Sequence, residues 1–115
     1  DTTDLFRAVE PGELADIKKT GDFRTKQVEV NGVTYDGASM PKQFGFDLNE
    51  VKELSKTSVL KDSTSIVKTK VPTSLIKELD NTPVDQSILK SGSVTVQDEA
   101  LDKFNKLKTP PKEVK

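Results

Sequence analysis

The sequence contains no cysteine and no histidine. Disulfides, thiol nucleophiles and Cys/His zinc sites are therefore excluded. Ser-His-Asp triads and histidine-dependent nucleases go with them. Any catalysis has to be built from Arg, Lys, Tyr, Ser, Thr, Asp and Glu, and no metal is expected. Tryptophan is absent as well, and aromatics make up 5% of the chain, so aliphatic side chains must fill most of the core. No apolar run approaches the length that crosses a membrane as a helix. An excess of charge of either sign is also missing, because 18 Lys and Arg stand against 19 Asp and Glu. Nucleic-acid-binding domains usually show a basic excess, since phosphate neutralisation supplies their affinity. Here a phosphate-binding surface would have to be a local patch. Gly-x-Gly phosphate loops and Walker patterns are not found.

What is present is one ordinary domain's length, 115 residues, with 32% hydrophobic and 32% charged residues. A chain this size buries roughly two-thirds of its unfolded surface, enough for one core. Asp4–Val9 reads as a strand, and Pro11 with Glu13 opens a helix that Thr20-Gly21 stops. Leu14 and Ile17 give that helix an apolar face. Asn31-Gly32, between alternating runs, predicts a type I′ hairpin pairing Val30 with Val33 and Val28 with Tyr35 on one half-buried face. Residues 36–41 read as a loop. Lys42–Phe46 follows as a short strand whose Gly45 hints at a bulge or a close backbone approach. Asp47 or Asn49 can cap a helix over 50–56, and residues 57–64 read as a further loop. Ser65–Val71 alternates, with Val67 and Val71 inward and Lys68 and Lys70 outward. A short helix from Thr73 or Ser74, a strand Ser93–Val96 and a helix 98–108 complete the pattern. Ala100, Leu101, Phe104 and Leu107 fall at helical spacing on the last of these. Strands and helices mix without regular βαβ alternation. The expected class is α+β, with short, mostly antiparallel strands and three or four short helices. Residues 1–108 are expected as one domain and 109–115 as a flexible C-terminal tail.

Several residues bear chemistry, each with a plainer reading beside it. Arg7 interrupts an apolar strand, so it either snorkels at an edge or aims a cation into a cleft. Gln97, Asp98 and Glu99 open the last helix, where acids already suit the dipole. Lys68 and Lys70 share a strand face that is either solvated or ready for a phosphate.

The order of five segments, Leu5–Val9, Pro11–Arg24, Lys42–Leu54, Ile66–Leu75 and Val94–Asn105, resembles the C-terminal toxin domains of bacterial polymorphic and contact-dependent growth inhibition systems. Among those it is most similar to compact ADP-ribosyltransferase-like domains, over residues 4–107. The resemblance implies that Arg7 holds the nicotinamide ribose and phosphate of NAD. It implies that Gln97-x-Glu99 is the motif whose last carboxylate stabilises an oxocarbenium-like transition state. The segment Phe44–Asp47 falls where such domains carry a Ser, Thr or Tyr on a central strand. No hydroxyl stands there in this chain, and Tyr35 and Ser39 are the nearby substitutes. A second toxin class, small ribonucleases that cleave tRNA or other RNA, would draw on Arg7, Arg24, Lys42, Lys68 and Lys70. A non-catalytic binding module is the third reading. Either toxin reading implies a monomer with a cognate immunity protein as its partner. Such a domain is secreted or delivered from the cell surface and acts in a target cell's cytoplasm. An opening on Asp1 is expected of a piece or processed product of a longer protein.

Overall fold

A computed structural model describes residues 1–25, 28–35, 41–57, 63 and 65–114. The fold is α+β. Among the described residues, seven strands run β1 (Thr2–Val9), β2 (Val28–Val30), β3 (Val33–Tyr35), β4 (Lys42–Gly45), β5 (Ser65–Pro72), β6 (Ser93–Val96) and β7 (Lys112–Val114). The helices of the described residues are α1 (Pro11–Thr20), α2 (Leu48–Ser55), α3 (Thr73–Ile76) and α4 (Asp98–Leu107). Five strands form one sheet in the order β6-β4-β1-β5-β7, and every pairing in it is antiparallel. β2 and β3 form a separate hairpin.

Successive side chains of a strand leave opposite faces, and the two faces meet different helices. Leu5 and Val9 of β1 join Phe44, Val67, Val71, Val94 and Val96 in one cluster, covered by Ile17 of α1, Leu75 of α3, and Leu101 and Phe104 of α4. Phe23, Phe44 and Phe104 meet at its centre, with ring centroids 5.1 to 5.9 Å apart. Phe6 and Ile66 point the other way and pack against Val51 and Leu54 of α2 and against Leu89. The sheet is thus sandwiched, but α2 alone is a short cover.

The local signals act as their chemistry dictates. Gly21 ends α1 at φ 78°, and its N–H reaches the Ile17 carbonyl at 2.7 Å. Asp47 caps α2 by accepting from the Glu50 N–H at 3.0 Å, so the helix begins at Leu48 rather than at 50. Asn31 and Gly32 hold φ 52° and 80°, and the hairpin has the register its turn implies. Val33 is 52% exposed, so the ribbon does not bury it as expected. Leu107 is exposed as well, because α4 ends at that residue. Gly45 does mark a close approach: a Cβ there would stand 2.7 Å from Val51 Cγ2.

The stretch 109–115, expected as a tail, carries β7, which pairs with β5 through Ile66–Val114, Val67–Glu113 and Lys68–Lys112. The physical reason is an open edge. Without β7, β5 would present unpaired amides, and Ile66 would lose Val114 as a neighbour. The prolines at 110 and 111 stand just before this strand, where a missing N–H costs least. The loops read at 36–41 and 57–64 lie largely outside the described residues. Among the described residues, no helix is long and apolar enough to cross a membrane.

Candidate functional site

Two groups of cations mark the sheet, one sealed inside and one on its margin. The inner group begins with alternation. Arg7 shares a face with Leu5 and Val9, and Lys42 shares it with Phe44, so both cations point under α1. α1 answers with Glu13 and Asp16, both buried beside Ile17. Glu13 receives the Arg7 guanidinium twice, from Nε to Oε2 at 2.7 Å and from Nη2 to Oε1 at 2.8 Å. Arg7 Nη1 donates to the Gln43 carbonyl at 3.2 Å. Lys42, fully buried, brings Nζ to 3.5 Å from Glu13 Oε1. Burial by itself would raise the Glu13 pKa. The hydrogen bond and charge of Arg7, with those of Lys42, outweigh it and hold the carboxyl below its usual range. Burial pushes the Lys42 ammonium down, and the nearby Arg7 charge adds to that against the pull of Glu13. Asp16 takes the Arg24 guanidinium in the same two-pronged way, Nε to Oδ2 at 3.0 Å and Nη2 to Oδ1.

The residues named from the sequence fall into separate places. Arg7 is engaged by Glu13 with 13% of its side chain exposed, and Phe44 is wholly inside the core. Gln97 donates Nε2 to Asp80 Oδ2 at 3.1 Å, beside the bridge that fastens Asp80 to Thr95 of β6. Glu99 stands exposed in the first turn of α4. Among the described residues, no hydrogen bond or ion pair joins Arg7 to Gln97 or Glu99. Ser39 and the Tyr35 side chain lie outside the described residues. Lys42 does not reach the surface, and Arg24 is anchored on α1 at the rim of a hollow of 460 Å³ that Phe23 and Leu101 also line.

Lys68 and Lys70 do come together, on the sheet face that bears Phe6 and α2. Lys112 of β7 lies directly across from Lys68 in the pairing register. A hollow of 470 Å³ is lined by these three lysines together with Thr69, Thr109 and Pro110. Its wall is tied down: Thr109 N–H donates to the Lys70 carbonyl at 2.8 Å, Lys70 N–H to Thr109 Oγ1 at 2.9 Å, and Thr69 Oγ1 to the Thr109 carbonyl at 2.6 Å. Lys68 Nζ lies 6.0 Å from the Phe6 ring centroid and 3.5 Å from Asp4 Oδ2. Among the described residues, Lys70 and Lys112 have no ion-pair partner. Chemically this margin can hold an anion, and the inner group holds α1 to the sheet.

Sequence reasoning missed Glu13, Asp16 and Lys112. Glu13 sits four residues before Ile17, on the same face of α1, and two inward cations require an inward anion, so that signal was present. Lys112 carried none while its segment read as tail. Among the described residues, no group of three or more Asp or Glu side chains could hold a metal ion. No family model, no curated protein and no solved structure matches this chain.

Proposed function

We propose that this is a toxin-type domain whose target is RNA rather than NAD. The observation that supports it best is how the cations divide. Arg7, the residue an NAD-binding site would require, is engaged by Glu13 and largely covered. Lys68 and Lys70, two of the five cations an RNA-directed site would draw on, share an exposed hollow on one strand face, although Lys42 and Arg7 of that set lie inside. Holding a nicotinamide ribose with Arg7 would mean taking the guanidinium off Glu13 and leaving that buried carboxylate to Lys42 alone. Holding a phosphate with Lys68 and Lys70 requires only the displacement of water and of the loosely held Asp4. An immunity protein with an acidic face would complement the same lysines.

The test follows RNA and NAD in one reaction. The purified domain is incubated with total bacterial RNA and NAD, and both are measured over time. RNA bound or cleaved with NAD intact is the expected result. Cleavage at catalytic amounts makes the domain a nuclease, and retention without turnover makes it an RNA-binding module. NAD consumption abolished in folded Glu99→Ala protein overturns the proposal in favour of the transferase.

A further inference from the structure

We infer that Lys68, Lys70 and Lys112 form a backbone clamp for single-stranded RNA along the β5–β7 margin, a site that rests on the RNA reading above. The first argument is a cost the fold carries. Like charges directly opposite each other on paired strands are destabilising, and Lys68 and Lys112 are such a pair. Lys70 adds a third positive charge on the same face, one pleat along. Glu113, the neighbour of Lys112 in the chain, leaves β7 on the opposite face and pairs with Lys18 at 3.3 Å. Among the described residues one carboxylate, Asp4 at 3.5 Å from Lys68, answers three lysines, and a surface selected only for stability would place a second across from Lys68 on β7.

The second argument is shape. Lys68 and Lys70 are spaced about 6.6 Å along β5 by the strand rise. Lys112 lies across from Lys68, so the three lysines stand along and across the β5–β7 margin around one hollow. The hollow between them has a hydrogen-bonded wall at Thr109, and its 470 Å³ is too small for a duplex. Phe6 is covered beneath Lys68 and offers no open ring for stacking. Contact is therefore through phosphates and insensitive to base sequence.

The experiment is fluorescence anisotropy of a short labelled single-stranded RNA across a range of salt concentrations. The wild-type chain is compared with Lys68→Gln, Lys112→Gln and the double variant. Three phosphate contacts predict a slope of log affinity against log salt of about −2, falling to about −0.7 in the double variant. Affinity at low salt should fall about fivefold for each lysine removed, uniformly across RNA sequences. Thermal unfolding is read on the same samples, and the midpoint of Lys112→Gln should hold or rise, because a repulsion is removed. Binding by the wild type with unchanged slope and affinity in the variants overturns the clamp and leaves the RNA reading standing. No binding of the wild type to any RNA overturns both. Equal affinity for duplex RNA overturns the single-strand assignment, and polyphosphate binding without RNA binding overturns RNA as the ligand.

Discussion

Glu13 accepts both edges of the Arg7 guanidinium, at 2.7 and 2.8 Å, while Lys42 Nζ lies 3.5 Å from the same carboxylate. The two cations leave the sheet on one face and the anion descends from α1, so this contact fixes where the helix sits. Its weight shows when one partner is removed. In Glu13→Gln the fold keeps two inward cations and loses the charge between them. Unfolding free energy should fall by about 3–5 kcal/mol, read from the urea midpoint. Arg7→Gln combined with Glu13→Gln should be destabilised by less than the sum of the two single changes, with a coupling of about 0.5–3 kcal/mol. Additive losses would mean that the pair contributes packing alone.

The same carboxylate sets an acid limit. Burial opposes ionisation of Glu13, but Arg7 and Lys42 more than offset it, and its folded pKa lies below the ordinary value of 4.5. A depressed carboxylate stabilises the fold above its unfolded pKa and loses that contribution as pH falls through the folded one. Urea midpoints should therefore drop as the solution is acidified below pH 4.5. Glu13→Gln, though weaker at neutral pH, should lose less on acidification. Asp80 shares this limb through its hydrogen bonds from Thr82 and Gln97, and Asp80→Asn separates its part. Lys42 acts at the other end. Burial disfavours its charged form, so the strain is full below its folded pKa and is relieved as pH rises toward 10.5. Lys42→Met should remove that alkaline gain.

The local elements were legible because each rests on short-range chemistry. Asn31-Gly32 fixed the hairpin register, Gly21 the end of α1, and alternating Val67 and Val71 the inner face of β5. What the sequence did not display was pairing over distance. β7 is three residues beside a strand more than forty positions earlier, and nothing local marks Lys112 as the neighbour of Lys68. Glu13 misled for a different reason. An acid in a first helical turn already has a sufficient explanation in the dipole, and that explanation concealed its partnership with Arg7. The candidate site was half visible: Lys68 and Lys70 were named, while Arg7 and Lys42 proved to be interior.

Gly45 offers a test of the α2 packing independent of charge. A Cβ at that position would lie 2.7 Å from Val51 Cγ2 and 3.3 Å from Leu89 Cδ2. Gly45→Ala should cost about 1–3 kcal/mol through overpacking. Adding Val51→Ala removes the nearest clash, and the double variant should regain part of the loss, although Val51 is itself a core residue. A double variant less stable than the sum of the two changes would mean that α2 is not seated against β4 in this way.

Among the described residues, Asp4 is the one carboxylate that reaches into the lysine margin, 3.5 Å from Lys68 and directly opposite Lys70 in the strand register. Both members of the contact are part-exposed, so it contributes under about 1 kcal/mol to folding. Its effect on an incoming phosphate is larger in consequence, because it occupies an ammonium the ligand would use and repels the ligand's charge. Asp4→Asn should leave the thermal midpoint within a few degrees of wild type and raise affinity for single-stranded RNA about two- to fivefold at low salt. The gain should shrink as salt is added, and it should be largely lost when Lys68→Gln is present in the same chain. An Asp4→Asn protein that binds no tighter than wild type would place the RNA-contacting surface away from Lys68.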